Sequence, residues 1–171
     1  MRYIFLLTLL FTLSFSDVFS MNSFEADFTQ TVTNEKGNRL EYKGRVKALK
    51  PQYALWKYLQ PSIKLIYVNN NQATIIEPEL EQVIVKHLKS KLDFFNIIKH
   101  AKKIDTNTYV TNFQSVKYTM HLRNSQLKSI EYKDQLDNII LINFTNHSIN
   151  REIDISEFNP LIPAEYDIID G

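Results

Sequence analysis

Alternation of apolar and polar residues along most of the chain, without one cysteine to staple it, is the feature that limits its fold most. In FEADFTQTV, Phe24, Ala26, Phe28 and Val32 share one face while Glu25, Asp27, Thr29 and Thr31 take the other. LEYKGRVKA likewise sets Leu40, Tyr42, Val46 and Ala48 against Glu41, Lys43, Arg45 and Lys47, and NEKGN between the two runs supplies a turn. A hairpin with one solvated and one buried face is the mark of an antiparallel sheet. The same period returns from Tyr53 to Tyr58 and in IKLIYV, ATIIE and EQVIVK, and later in TYVTNF, VKYTMHL, LKSIEYKD and NIILINF. Pro51 and Pro61 sit between runs, where a missing N–H breaks no ladder bond. NNNQ, Asn69 to Gln72, predicts a hairpin turn, because asparagine tolerates the positive φ such turns need.

The period changes once. In KSKLDFFNIIKHAKK, Leu92, Phe95, Ile98 and Phe94, Ile97, Ala101 recur at helical spacing and predict one amphipathic helix, with Lys99, Lys102 and Lys103 complementing the dipole at its end. SEFNPLIPAEYDIID predicts a short turn or helical piece at Ser156 to Phe158 and a last strand after Pro163. The class is mainly β with α, about ten to eleven antiparallel strands, and a sheet of that length is expected to curl into a barrel or half barrel.

At the N-terminus, MRYIFLLTLLFTLSFS places one arginine before an apolar run shorter than the roughly 20 residues a membrane helix needs. It predicts a cleaved secretory signal over 1–20, cut after Ser16 or Ser20, and a mature domain over 21–171. No cysteine follows the run to carry a lipid, and export without disulfides leaves stability to burial alone. The formal net charge of +1 offers no electrostatic case for nucleic acid.

No catalytic or cofactor motif is present, so the chain is not expected to be an enzyme or to bind a cofactor. His87, His100, His121 and His147 have no ligand spacing, and no metal site is expected. Glu77 with Glu79 and Asp134 with Asp137 have the composition of an acid/base pair but the context of solvated turns. Asn143 and Asn146 open sequons of little weight.

Taken in order, FEADFTQTV, KPQYALWKYLQP, PELEQV and FNPLIPAEYDIID resemble the periplasmic lipoprotein carrier family LolA, from about Phe24 to Ile169. The resemblance implies an unclosed half barrel with one main helix plugging its mouth. It implies a periplasmic chaperone, monomeric, that holds the acyl chains of triacylated lipoproteins in an apolar cavity. The partners implied are an inner-membrane ABC lipoprotein-releasing complex and an outer-membrane receptor or direct membrane delivery. Carried onto this chain, the cavity wall is Tyr42, Val46, Trp56, Tyr58, Ile66 and Val68, with Phe94, Ile97 and Ile98 as the movable plug. Lys50 stands where the family has an arginine thought to latch the lid, and lysine lacks that residue's planar fork. A long N-terminal helix common in the family has no counterpart in the few residues before Phe24, so the lid is expected from Leu92 to Ala101. The alternatives are a related periplasmic domain that binds other lipids or senses lipoproteins, and side chains that simply fill a closed core.

Overall fold

The computed structural model describes residues 18–88 and 94–171, which leaves most of the signal segment and Leu92 outside the described residues. Twelve strands form one sheet: β1 (Ser23–Thr33), β2 (Arg39–Leu49), β3 (Tyr53–Gln60), β4 (Lys64–Asn69), β5 (Gln72–Glu77), β6 (Gln82–His87), β7 (Lys102–Asp105), β8 (Thr108–Phe113), β9 (Val116–Arg123), β10 (Gln126–Lys133), β11 (Ile139–Ile149) and β12 (Asp167–Asp170). Their spatial order is β12-β6-β5-β4-β3-β2-β1-β11-β10-β9-β8-β7. Two meanders, β1 to β6 and β7 to β11, are thus joined where β1 pairs with β11. The sheet does not close on itself, because β12 and β7 each have a neighbour on one side only. All four residues of each edge strand are exposed, and charges at Lys102, Lys103, Asp167 and Asp170 discourage further pairing.

Alternation decides the inner face. Phe24, Ala26 and Phe28 of β1, Val46 and Ala48 of β2, Ala54 of β3, Val68 of β4, Met120 of β9 and Phe144 of β11 are all buried in one cluster. Their odd-numbered neighbours on β1 and β2 carry a solvated lattice of charges, with Arg45 within 3.3 Å of Glu25 and 3.2 Å of Asp27.

The turns follow from their residues. Asn34 Oδ1 accepts from Lys36 N at 3.0 Å and Asn38 N at 2.9 Å, and Gly37 takes φ of 80°. The β10–β11 hairpin repeats the design: Asp134 Oδ1 accepts from Leu136 N at 2.8 Å and Asn138 N at 2.9 Å, with Asp137 at φ 60°. In NNNQ, Asn70 has φ of 53° and Asn69 pairs with Gln72, as the asparagine run predicts.

Two expectations change. Helix α1 spans Phe94–Lys99, and Lys102 and Lys103 belong to β7 rather than to a longer helix. Helical spacing persists through Ala101, yet β8 offers an open edge and pairing Lys102 with Val110 satisfies backbone groups that one more turn would leave in solvent. Second, β12 pairs parallel with β6, so the sheet is not wholly antiparallel. The return path explains this. After β11 the chain crosses the outer face through a short 3-10 turn, Ile155–Phe158, whose Asp154 side chain accepts from Ser156 N at 2.9 Å. Phe158 is fully buried against the Tyr53 ring at 5.6 Å, and Lys47 pairs with Glu157. Ile76 and Val83, on the outer side of β5 and β6, are buried too, which makes a small second core on the convex side.

Gly44 is the tightest point. A Cβ there would collide with the Lys57 carbonyl oxygen and stand 2.8 Å from the Phe28 ring. The close approach coincides with a bulge, where Lys43 faces Gln60 but Gly44 faces Tyr58. We expect Gly44→Ala to lower stability by about 1–3 kcal/mol, read as a reduced urea midpoint with an unchanged slope.

Burial also bears on processing. Val18 and Met21 are 2% and 1% exposed, and the Phe19 ring lies 5.0 Å from that of Tyr109. Cutting after Ser20 would strip Val18 and Phe19 from these contacts. The expected outcome is an exported protein whose intact mass begins at Asp17; a mass beginning at Met21 would show that these contacts are dispensable.

Candidate functional site

The inner face is not filled everywhere. Between α1 and the sheet lies a cavity of about 260 Å³ whose walls include Trp56 and Tyr58 of β3, Ile66 and Val68 of β4, Ile130 and Tyr132 of β10, and Ile142 of β11. Phe94 and Ile97 of α1 form its cover. Strand register explains the grouping: Trp56 faces Ile66, Ala54 faces Val68 and Ile130 faces Ile142, so side chains of one parity converge on one concave surface. Trp56 leans edge-on to Phe28 at 5.1 Å, a contact that holds the indole against the wall instead of across the void.

Over its described residues, Phe94–Lys99, helix α1 has too few turns to be stable alone. It is held by burial of Phe95, Ile97 and Ile98, with Phe94 stacked on Phe24 at 5.3 Å.

Toward the rim made by the 34–38 and 134–138 turns, the wall becomes polar. Tyr58 Oη donates to Gln30 Oε1 at 2.7 Å. Tyr42 stands edge-on to Tyr58 at 5.8 Å, and the Tyr118 and Tyr132 rings lie 5.0 Å apart. Gln30, Tyr58, Ile66 and Tyr132 also line an adjoining cavity of about 300 Å³ that reaches Tyr42, Ser62 and Lys64, so the two spaces share a wall. Burial pushes the Tyr132 hydroxyl up to about 12, with Tyr118 and Asp134 adding, and raises that of Tyr58 further, with Tyr132 and Tyr42 adding. This wall strongly disfavours negative charge.

Of the residues singled out from the sequence, Trp56, Tyr58, Ile66, Val68, Phe94 and Ile97 meet in the apolar cavity, and Tyr42 lies in its polar extension. Val46 pairs with Trp56 and is 1% exposed, which places it beneath the wall rather than on it. Ile98 turns the other way, into a separate recess of about 390 Å³ bounded by Phe19, Met21, Lys50 and Phe95. Lys50 Nζ stands 5.7 Å over the Phe95 ring and 3.4 Å from Asn22 Oδ1. Gln30, Tyr118, Ile130, Tyr132 and Ile142 line the cavity without having been singled out. Strand parity could have placed them inward, but it does not say which strands face a void.

Ionisable groups are engaged elsewhere. Glu77 takes Lys64 at 2.7 Å and Gln82 at 2.5 Å, bonds that hold its carboxyl below the usual range. His147 Nε2 donates to the Leu127 carbonyl at 2.6 Å, and no His/Asp/Glu cluster suited to a metal occurs among the described residues.

The profile of the family described as "Outer membrane lipoprotein carrier protein LolA" matches residues 20–118. An outer-membrane lipoprotein carrier protein of Campylobacter jejuni is 40% identical over 150 residues, covering 88% of each chain. One of Helicobacter pylori strain J99 is 37% identical over 143 residues, covering 82% of this chain and 77% of that one. In fold, the chain is similar to a LolA superfamily protein from Nitrosomonas europaea, with a TM-score of 0.52 and 10% identity over 82% of this chain and 91% of the other. An uncharacterized conserved protein from Thermus thermophilus superposes with a TM-score of 0.56, 9% identity and coverage of 90% and 93%.

The raised tyrosines link stability to pH. Their folded values exceed the unfolded phenol value near 10, so the folded state keeps protons the unfolded chain loses and stability falls as pH rises above about 10. In an ultraviolet titration, Tyr58→Phe and Tyr132→Phe are each expected to remove one late-ionising tyrosine without altering the early phase.

Proposed function

This chain belongs to the LolA family of outer membrane lipoprotein carrier proteins, and on that premise we propose that it takes lipoproteins from an inner-membrane ABC releasing complex and delivers them across the periplasm. Delivery is to an outer-membrane receptor or directly to the membrane. The observation that carries the reading is the apolar cavity under a short, lightly held helix.

Acyl chains gain about 0.8 kcal/mol per buried methylene, so neither membrane yields them to a cavity that offers much less. A carrier must nevertheless release its cargo, which favours loose apolar walls over close complementarity. At about 260 Å³ the cavity falls below the roughly 300–1,000 Å³ of ordinary ligand pockets, so accepting several chains requires α1 to lift. Phe94 and Ile97 then exchange contact with the wall for contact with lipid, and the apolar area exposed to water changes little. Lys50 is proposed as a clasp through the Phe95 ring, an interaction of about 0.5–1 kcal/mol at an exposed site. A latch of that size biases α1 toward the sheet without locking it.

Incubated with inner-membrane vesicles containing active releasing complex, the purified mature protein is expected to bring a triacylated lipoprotein into a soluble one-to-one complex. Trp56→Glu and Ile66→Glu should each lower the yield at least about tenfold, since a charge on the wall costs several kcal/mol to desolvate. Full release by variants shown to be folded would place the chains elsewhere. No release by the native protein would overturn the carrier reading.

A further inference from the structure

The cavity wall is apolar except at Gln30, Tyr58, Tyr118 and Tyr132; of these, Gln30, Tyr58 and Tyr132 also line the adjoining cavity, and their polarity there is unexplained by a need to hold hydrocarbon. A Leu and two Phe side chains would line the same space without bringing polar atoms into it. Gln30 lies inward on β1, opposite Tyr42 on one neighbour and Ile142 on the other, and Tyr58 and Tyr132 reach it from opposite walls of the half barrel. The bond between Tyr58 and Gln30 uses one donor hydrogen. An amide NH2 and two hydroxyls supply more than that, and whichever way the Gln30 amide is turned the group keeps a surplus of donors. Neither the Gln30 nitrogen nor the Tyr132 hydroxyl bonds another described residue. Such donors find partners when the space is filled.

A neutral acceptor suits this surplus of donors. A carboxylate is a poor fit, because Lys64, the lysine among the residues lining the adjoining cavity, already pairs with Glu77 at 2.7 Å and burial around the tyrosines opposes anions. We propose that Gln30, Tyr58 and Tyr132 form a subsite for the ester and amide carbonyls of an acylated headgroup, so that cargo lies with its carbonyls at this level and its tails toward Phe94 and Ile97. The inference rests on the carrier reading for the source of the ligand, although its chemistry is shared by diacyl phospholipids. The subsite gives the loose cavity a fixed polar register: chains of different length fit, while a headgroup without carbonyls does not bind as well. It also sets orientation, since a carbonyl carried to the Phe94 end would lose its donors and find apolar walls.

The test uses the chain's one tryptophan, Trp56, as a fluorescent reporter of the cavity. The full mature protein is titrated with a tripalmitoyl-cysteinyl peptide and with its analogue carrying ethers in place of the esters, then with a diacyl phosphatidylcholine and its dialkyl counterpart. One to two hydrogen bonds lost should make the ether form bind about five- to tenfold more weakly. Gln30→Leu, Tyr58→Phe and Tyr132→Phe should each bring the ester-to-ether ratio toward unity; the two isosteric tyrosine variants carry the test if Gln30→Leu does not fold. An ester preference with both lipid classes, or with the lipopeptide alone, supports the subsite and says which source it admits. Ester-selective binding of phospholipid with none of lipopeptide would support the subsite while overturning the carrier reading. Equal affinity for ester and ether forms, or a ratio unmoved by all three variants, overturns the subsite even if lipopeptide binds well. Absence of binding by every probe overturns both.

Discussion

A curved sheet has to cover its concave face, and the pairing of β1 with β11 makes that face too large for its own side chains to fill. Phe24, Phe28 and Phe144 meet at this seam and carry the core. Away from it the walls diverge, and among the described residues the space between β3–β4 and β10–β11 is covered by α1. The proposed role depends on this division. The seam supplies stability from non-local burial, and the diverging walls are free to hold something other than protein.

The same division sets where motion is affordable. Removing α1 from the sheet would expose apolar wall to water, but replacing it with acyl chains would not, so cargo and cover compete for one surface. Such exchange needs no large strain in the sheet, whose strands are tied by ladders on both sides through most of its width. The convex side follows an opposite rule. There Phe158 and the crossing segment seal β3 to β6 with Tyr53, and the parallel strand β12 ends the chain on the sheet edge. One face is built to stay and the other to be exchanged.

Lys50 and the tyrosine cluster illustrate how weak polar contacts act on an apolar device. A cation over Phe95 is worth little beside the burial of Ile97 and Ile98, yet under the proposed function a cover that opens would gain from a latch it can break. Gln30, Tyr58 and Tyr132 add almost nothing to hydrocarbon binding. They give a slippery cavity a direction, because hydrogen-bond donors discriminate among positions that apolar contact treats alike.

Much of this was legible in one dimension. Alternation marked Phe24, Ala26, Phe28, Val46 and Ala48 as inner, because a half-buried strand separates apolar from polar side chains in that way, but it also put Leu40 on the buried face, where the structure leaves it 50% exposed. Turn residues at Asn34 and Asn70 marked their hairpins, the first because its side chain bonds the local backbone and the second because asparagine tolerates positive φ. Tertiary structure decided what local patterns do not encode. It cut the helix at Lys99, because the free edge of β8 competed for Lys102, and it laid β12 parallel to β6, because the return path across the convex face leaves that direction. It also separated Ile98 from Ile97, sending adjacent residues into different recesses, and gathered Gln30, Tyr58 and Tyr132 from three strands into one polar patch. Sequence alone determined which way each side chain points, a property of one strand; which of them face each other across a void is a property of the curvature that twelve strands share.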